Sequence, residues 1–173
     1  MNKDKERICL IGMPGSGKST IGKQLSKKLK YAFFDIDEEI EKQEKIKIKD
    51  IFSIKGEDYF RTVETAIFNE IINKRRIVIS TGGGLIIKNL DKLKISFNIY
   101  LYCDVNILTQ RASRNNLRPL LNEDTSLQMK NLFNERKEIY NMAADITINA
   151  TINQKNTISE ILKEINNDNQ KNN

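Results

Sequence analysis

The segment Gly12-Met-Pro-Gly-Ser-Gly-Lys18-Ser19 constrains this chain more tightly than any other. It matches G-x-x-x-x-G-K-[ST], follows the apolar run ICLI at 8–11, and opens a helical pattern at Lys18. Strand, glycine-rich turn and helix in that order let successive backbone N–H groups turn inward around an anion. The helix adds the positive end of its dipole. Gly15, Ser16, Gly17 and Thr20 complete such a cradle. Lys18 is spaced to bridge the β- and γ-phosphates of a nucleotide, and the Ser19 hydroxyl to bind Mg²⁺. A bare glycine-rich corner would also join a strand to a helix, but at average glycine usage a chance match is on the order of 1% or less.

A strand feeding a helix through this turn implies an α/β unit, and the rest of the chain agrees. Short uninterrupted apolar runs recur at 8–11, 32–34, 77–79, 97–102 and 146–148. Runs of that kind suit strands of a parallel sheet covered on both faces. Between them, Ile21, Leu25 and Leu29 recur every fourth residue, as do Val63, Ile67 and Ile71. Ile158, Ile161, Leu162 and Ile165 keep a mixed helical spacing. Alternating strands and helices predict right-handed crossovers onto one sheet. At 173 residues this is one domain, expected over 1–167, with a polar disordered tail over 168–173.

Composition narrows the chemistry. The chain has no histidine, which excludes a Ser-His-Asp triad, a Cys-His dyad and any imidazole metal site. A general base must then be a carboxylate, Lys or Tyr, and a metal must be a hard, oxygen-bound one such as Mg²⁺. Cys9 and Cys103 sit singly in apolar runs, as small buried hydrophobes of a reduced compartment do. The net charge is +6, but the lysines are interleaved with glutamates (EEIEKQEKIKIK) and aromatics are sparse at 7%. The clustered basic stripe of a nucleic-acid binder is missing, so no nucleic-acid partner is expected. No apolar run approaches the roughly 20 residues that cross a bilayer, and no leader pattern precedes the first strand. A cytoplasmic protein is expected, with no membrane partner.

Punctuation is concentrated. Of 8 glycines, four lie at 12, 15, 17 and 22 and three at 82–84, with Gly56 alone; the prolines are Pro14 and Pro119. Three successive glycines after the run at 77–79 are costly in backbone entropy, which points to a bound group lying against the main chain. Asp35 and Asp37 end the second strand run, where parallel sheets present ligand groups. They alternate, so one can approach a metal's water shell while the other faces a neighbouring pocket. An acidic cap on the helix at EEIEK explains the same pair without a ligand. Arg61 and Glu64, three apart on a predicted helix, could likewise be a surface pair.

Taken in order, GMPGSGKST, DID, FRTVE, STGGG and an Arg-Pro-Leu-Leu segment resemble the shikimate kinase family over about residues 8–145. The cradle alone is generic; the DxD, FRxxE and TGGG set in this order is specific. The resemblance implies a three-layer P-loop sandwich with a parallel five-stranded sheet, like adenylate kinase, and a mobile lid at about 112–126. It also implies ATP- and Mg²⁺-dependent phosphorylation of the 3-hydroxyl of shikimate, on the route to aromatic amino acids, by a monomer. By the same resemblance, Asp37 orients the acceptor and is the candidate base. Arg61 and Arg136 clamp its carboxylate, Gly82, Gly83 and Gly84 wall its ring, and Arg118 is a lid arginine on the ATP phosphates. Asp35 would reach the metal through water. Arg111 and Arg114 add charge near the lid, and Asn153 and Gln154 align with the adenine-contacting segment by position. A gluconate kinase would share the cradle but lack the FRxxE and TGGG pairing. A non-catalytic nucleotide-binding module would have no need of Lys18, Ser19 and Asp37 together.

Overall fold

The central runs at 8–11 and 77–79 are uninterrupted because those strands are buried on both faces, whereas the edge run at 146–148 exposes Thr147. The computed structural model describes residues 5–114, 123–151 and 153–170. In it, β1 (Arg7–Ile11), β2 (Ala32–Asp35), β3 (Ile77–Ser80), β4 (Phe97–Tyr102) and β5 (Ile146–Asn149) form one parallel sheet in the order β2-β3-β1-β4-β5. Along β1, Ile8 and Leu10 point to one core while Cys9 and Ile11 point to the other. Along β3, Val78 joins the first core and Ile77 and Ile79 the second. The two-residue period of a strand thus serves two helical layers at once.

One layer is α1 (Lys18–Leu29) and α7 (Gln154–Gln170), which bury Ile21, Leu25, Ile158, Ile161 and Ile165 against the sheet. The other holds α2 (Ile36–Glu44), α3 (Ile48–Ile72), α4 (Leu85–Asn89), α5 (Val105–Arg114) and α6 (Glu123–Ala143). Helix, sheet and helix make the three-layer sandwich that the resemblance implied. The helix α7 runs to Gln170, into the stretch expected as a tail, while residues 171–173 lie outside the described part.

Two features of the fold position the site. Strand β1 leads to α1 in one layer, while its neighbours β3 and β4 lead to α4 and α5 in the other, so a crevice opens at its carboxyl end. Helix α3 is in fact two helical segments broken at Gly56, whose φ of 81° and ψ of 171° are non-helical. Glu44 at the end of α2 accepts from Lys55 Nζ (2.8 Å) and Tyr59 Oη (3.0 Å), one on each side of the break. The Phe52 and Phe60 rings also pack across it, with centroids 4.7 Å apart.

Candidate active site

The glycine-rich loop follows β1 and bends where only glycine bends easily. Gly12, Gly15 and Gly17 have φ of 142°, 82° and 95°, and a Cβ on Gly12 would lie 2.8 Å from the Leu101 carbonyl oxygen. The first turn of α1 carries no acidic residue, so its positive end is left for an anion. Ser19 and Thr20 are exposed there, and Ser19 Oγ lies 3.3 Å from Ser80 Oγ at the end of β3. Lys18 is buried and folds across the loop, donating to the carbonyls of Gly12 (2.8 Å) and Met13 (2.9 Å). Burial pulls its pKa down to about 8 against the opposing pull of Asp37 and Asp35, while Arg136 pushes it lower.

Beside the loop is a cavity of about 570 Å³ lined by Ser16, Gly17, Gln24, Arg111, Asn153 and Gln154, among others. Arg111 was expected only to add charge near the lid. Instead its guanidinium donates to the carbonyls of Gly15 (3.2 Å), Ala150 (3.4 Å) and Thr151 (3.0 Å), tying the phosphate loop to the connection between β5 and α7. Asn153 and Gln154 do line the wall facing it.

On the other side of the loop stands the triple glycine, and each missing side chain there is replaced by a different neighbour. A Cβ on Gly82 would lie 2.6 Å from Glu64 Oε1 and 3.1 Å from Asp37 Oδ1. One on Gly83 would lie 2.8 Å from Pro14 Cδ, and one on Gly84 2.7 Å from Arg61 Nη2. Any larger residue would displace two carboxylates, the phosphate loop or a guanidinium. Close approach, rather than turn geometry, is what these glycines serve.

The pair Arg61–Glu64 forms, at 2.8 Å, but not on the surface: Glu64 is only 1% exposed. Burial raises the Glu64 pKa above its ordinary value, against the pull of Arg61 and with a further push from Asp37. Burial also opposes the charge on Arg61, but Glu64 and Glu57 outweigh it and raise its pKa. Glu64 is therefore a site residue that the i, i+3 spacing could not reveal, since that spacing is the same on an exposed face.

Asp35 caps α2, its Oδ1 accepting from Asp37 N at 3.1 Å, so the capping role considered for it is present. It is also buried and close enough to Lys18 to raise the lysine's pKa. Asp37 is exposed at the first turn of α2, beside Gly82. Arg136 donates to the Gly83 carbonyl at 2.9 Å. Lys18, Asp37, Glu64, Arg61 and Arg136 thus meet around Gly82, Gly83 and Gly84. Arg118 and residues 115–122 of the expected lid lie outside the described residues. For a metal, the Ser19 and Ser80 hydroxyls and the Asp35 carboxylate are hard oxygens on the loop's side of the crevice. A few protein oxygens supplemented by phosphates and water suit Mg²⁺. Among the described residues no cluster of three acidic, Cys or His side chains forms an all-protein metal cage.

Comparison with known proteins identifies the family. The shikimate kinase family model matches residues 14–166. A shikimate kinase of Sulfurihydrogenibium sp. (strain YO3AOP1) is 43% identical over 163 residues, 92% of this chain and 95% of that relative. The solved shikimate kinase from Acinetobacter baumannii in complex with shikimate superposes with a TM-score of 0.89 at 34% identity, covering 95% of this chain and 94% of that one. A gluconokinase from Sinorhizobium meliloti 1021 reaches a TM-score of 0.61 at 18% identity, covering 92% and 90%, a likeness of fold alone.

Proposed function

The chain belongs to the shikimate kinase family, and from that premise we propose that it transfers the γ-phosphoryl group of ATP to the 3-hydroxyl of shikimate, yielding shikimate 3-phosphate and ADP. The observation that carries this is the triple-glycine wall, where a carboxylate pair, an arginine and the phosphate loop each fill the space of one absent side chain. On this reading the acceptor lies against that wall, next to the phosphate cradle.

Little covalent chemistry is asked of the protein, because a loose phosphoryl-transfer transition state needs alignment and charge neutralisation above all. The backbone of Gly15, Ser16, Gly17, Lys18, Ser19 and Thr20 cradles the β-phosphate. Lys18, released from the Gly12 and Met13 carbonyls, moves its charge onto the transferring group. Ser19, with Asp35 through water, would hold Mg²⁺, which neutralises phosphate charge when bound. Asp37 accepts from the acceptor hydroxyl, orienting it toward phosphorus and taking its proton as the bond forms. Arg61, prealigned by Glu64, and Arg136 hold the shikimate carboxylate, since a carboxylate beside a polyanionic nucleotide needs fixed cations. Arg118 would close over the phosphates. The cavity lined by Arg111, Asn153 and Gln154 takes the adenine end. Cys9 and Cys103 are buried and not disulfide-bonded, and among the described residues no helix is long and apolar enough to cross a membrane, both compatible with a cytoplasmic setting.

Coupled ADP release tests the reading, with shikimate set against gluconate, other polyols and nucleoside monophosphates. Turnover with shikimate at least about 10²-fold above the rest is expected, as a site built for a specific polar acceptor should give. Faster turnover with gluconate would replace the assignment.

A further inference from the structure

Helix α6 presents two donors one turn apart, and both converge on a single carbonyl of the acceptor wall. Tyr140 Oη donates to Gly83 O at 2.5 Å, and Arg136 Nη1 donates to the same oxygen at 2.9 Å. Both lone pairs of that carbonyl are therefore used, which pins the peptide plane between Gly83 and Gly84. Arg136 Nε is buried with no hydrogen-bond partner among the described residues. The Gly83 carbonyl is thus the anchor that aims this guanidinium.

Tyr140 is itself held firmly. It is 1% exposed, and its ring stacks on Tyr100 of β4 with centroids 5.1 Å apart and planes 24° from parallel. Tyr100 stands edge-on to Tyr102, which in turn meets Phe133 of α6. This rigid aromatic column runs from the sheet to the acceptor wall. Burial pushes the Tyr140 pKa up to about 12, against a downward pull from Arg136, so the hydroxyl keeps its proton throughout the working range.

We propose that Tyr140 is a positioning residue for acceptor recognition: its hydroxyl fixes the Gly83 carbonyl, and the fixed carbonyl aims Arg136 at the acceptor carboxylate. The proposal rests on the reaction proposed above and adds a residue to it. Tyr140 is buried with its hydroxyl engaged by Gly83, so its effect passes through that carbonyl to Arg136 and depends on the acceptor carrying a negative charge.

Calorimetric titration of Tyr140→Phe and the parent with shikimate, with its neutral carboxamide and with ADP tests this. Phenylalanine keeps the ring stack and removes only the donor. Shikimate affinity should fall about 3- to 10-fold, the worth of one net hydrogen bond, with the carboxamide and ADP changing less than about twofold. In turnover the acceptor KM should rise while kcat stays within about twofold. The control is Tyr100→Phe, which removes a buried hydroxyl without a hydrogen-bond partner from the same stack and should leave shikimate affinity unchanged. A parent that binds no shikimate overturns the proposed reaction and this inference with it. A parent that binds, with Tyr140→Phe unchanged, weakened equally toward all three ligands or matched by Tyr100→Phe, overturns the inference alone.

Discussion

Lys18 occupies its place at a cost to the fold. Its ammonium is almost fully buried, and its pKa of about 8 lies below the ordinary 10.5. Below pH 8 the folded and unfolded chains both hold the proton, so the full cost of burying the charge is present. Between 8 and 10.5 the folded chain sheds the proton while the unfolded chain keeps it, and stability rises with pH. The shift corresponds to about 3 kcal/mol, an upper bound because two loop carbonyls lose their donor when the amine is removed. Lys18→Met should therefore abolish most turnover and yet unfold at higher urea than the parent at pH 7. That advantage should shrink as the pH approaches 10. A folded mutant with near-normal kcat would remove Lys18 from the chemistry, and a mutant less stable at pH 7 would refute the burial cost. At this scale motif spacing singled out Lys18, Asp37 and Arg61, and the family resemblance added Arg136. The sequence did not reveal the burial of Glu64 or the carbonyl partners of Arg111, and it gave no sign of Tyr140. Arg111 and Tyr140 bond to backbone carbonyls remote in sequence, and no side-chain pattern records a carbonyl.

Among the elements, α3 departs furthest from its pattern. The recurrence of Val63, Ile67 and Ile71 marks its second segment, but the first, with Ile51 buried and Phe52 and Ile54 exposed, has no clean apolar stripe. The break falls at Gly56, in a region of positive φ and extended ψ that is open essentially to glycine alone. A Cβ there would meet nothing within 4 Å, so backbone strain is the whole effect of adding one. Gly56→Ala should lower stability by about 1–3 kcal/mol in urea unfolding. Because the break seats the first segment against α2, and Asp37 begins that helix, acceptor KM should rise as well. A loss under about 0.5 kcal/mol would mean that the helix straightens without penalty. Sequence could not distinguish this glycine from a tolerated one inside a helix, since the distinction lies in φ and ψ.

Over the whole molecule, the central strands were legible because two-sided burial leaves apolar runs. Their order was not, because continuous runs carry no information about neighbours. That order decides the site: β2, β3 and β1 lie side by side, so Asp35, the triple glycine and the phosphate loop leave adjacent carboxyl ends. The wall and the loop then meet at Pro14, whose ring fills the space that a Cβ on Gly83 would need. A rigid ring pressed on a pinned peptide cannot shift without its neighbour, so the two ligands exchange free energy through one contact. Nucleotide should tighten shikimate, and shikimate must tighten nucleotide by the same factor, on the order of 5-fold or more for a typical coupling. Titrating each ligand with and without the other, with ADP as the nucleotide, measures both factors. Pro14→Ala should bring both toward unity together, and two independent affinities in the parent would show that the contact transmits nothing. If they are coupled, neither half of the crevice has an affinity of its own, and a competitor aimed at the shikimate side has a potency set by the cell's ratio of bound to free nucleotide.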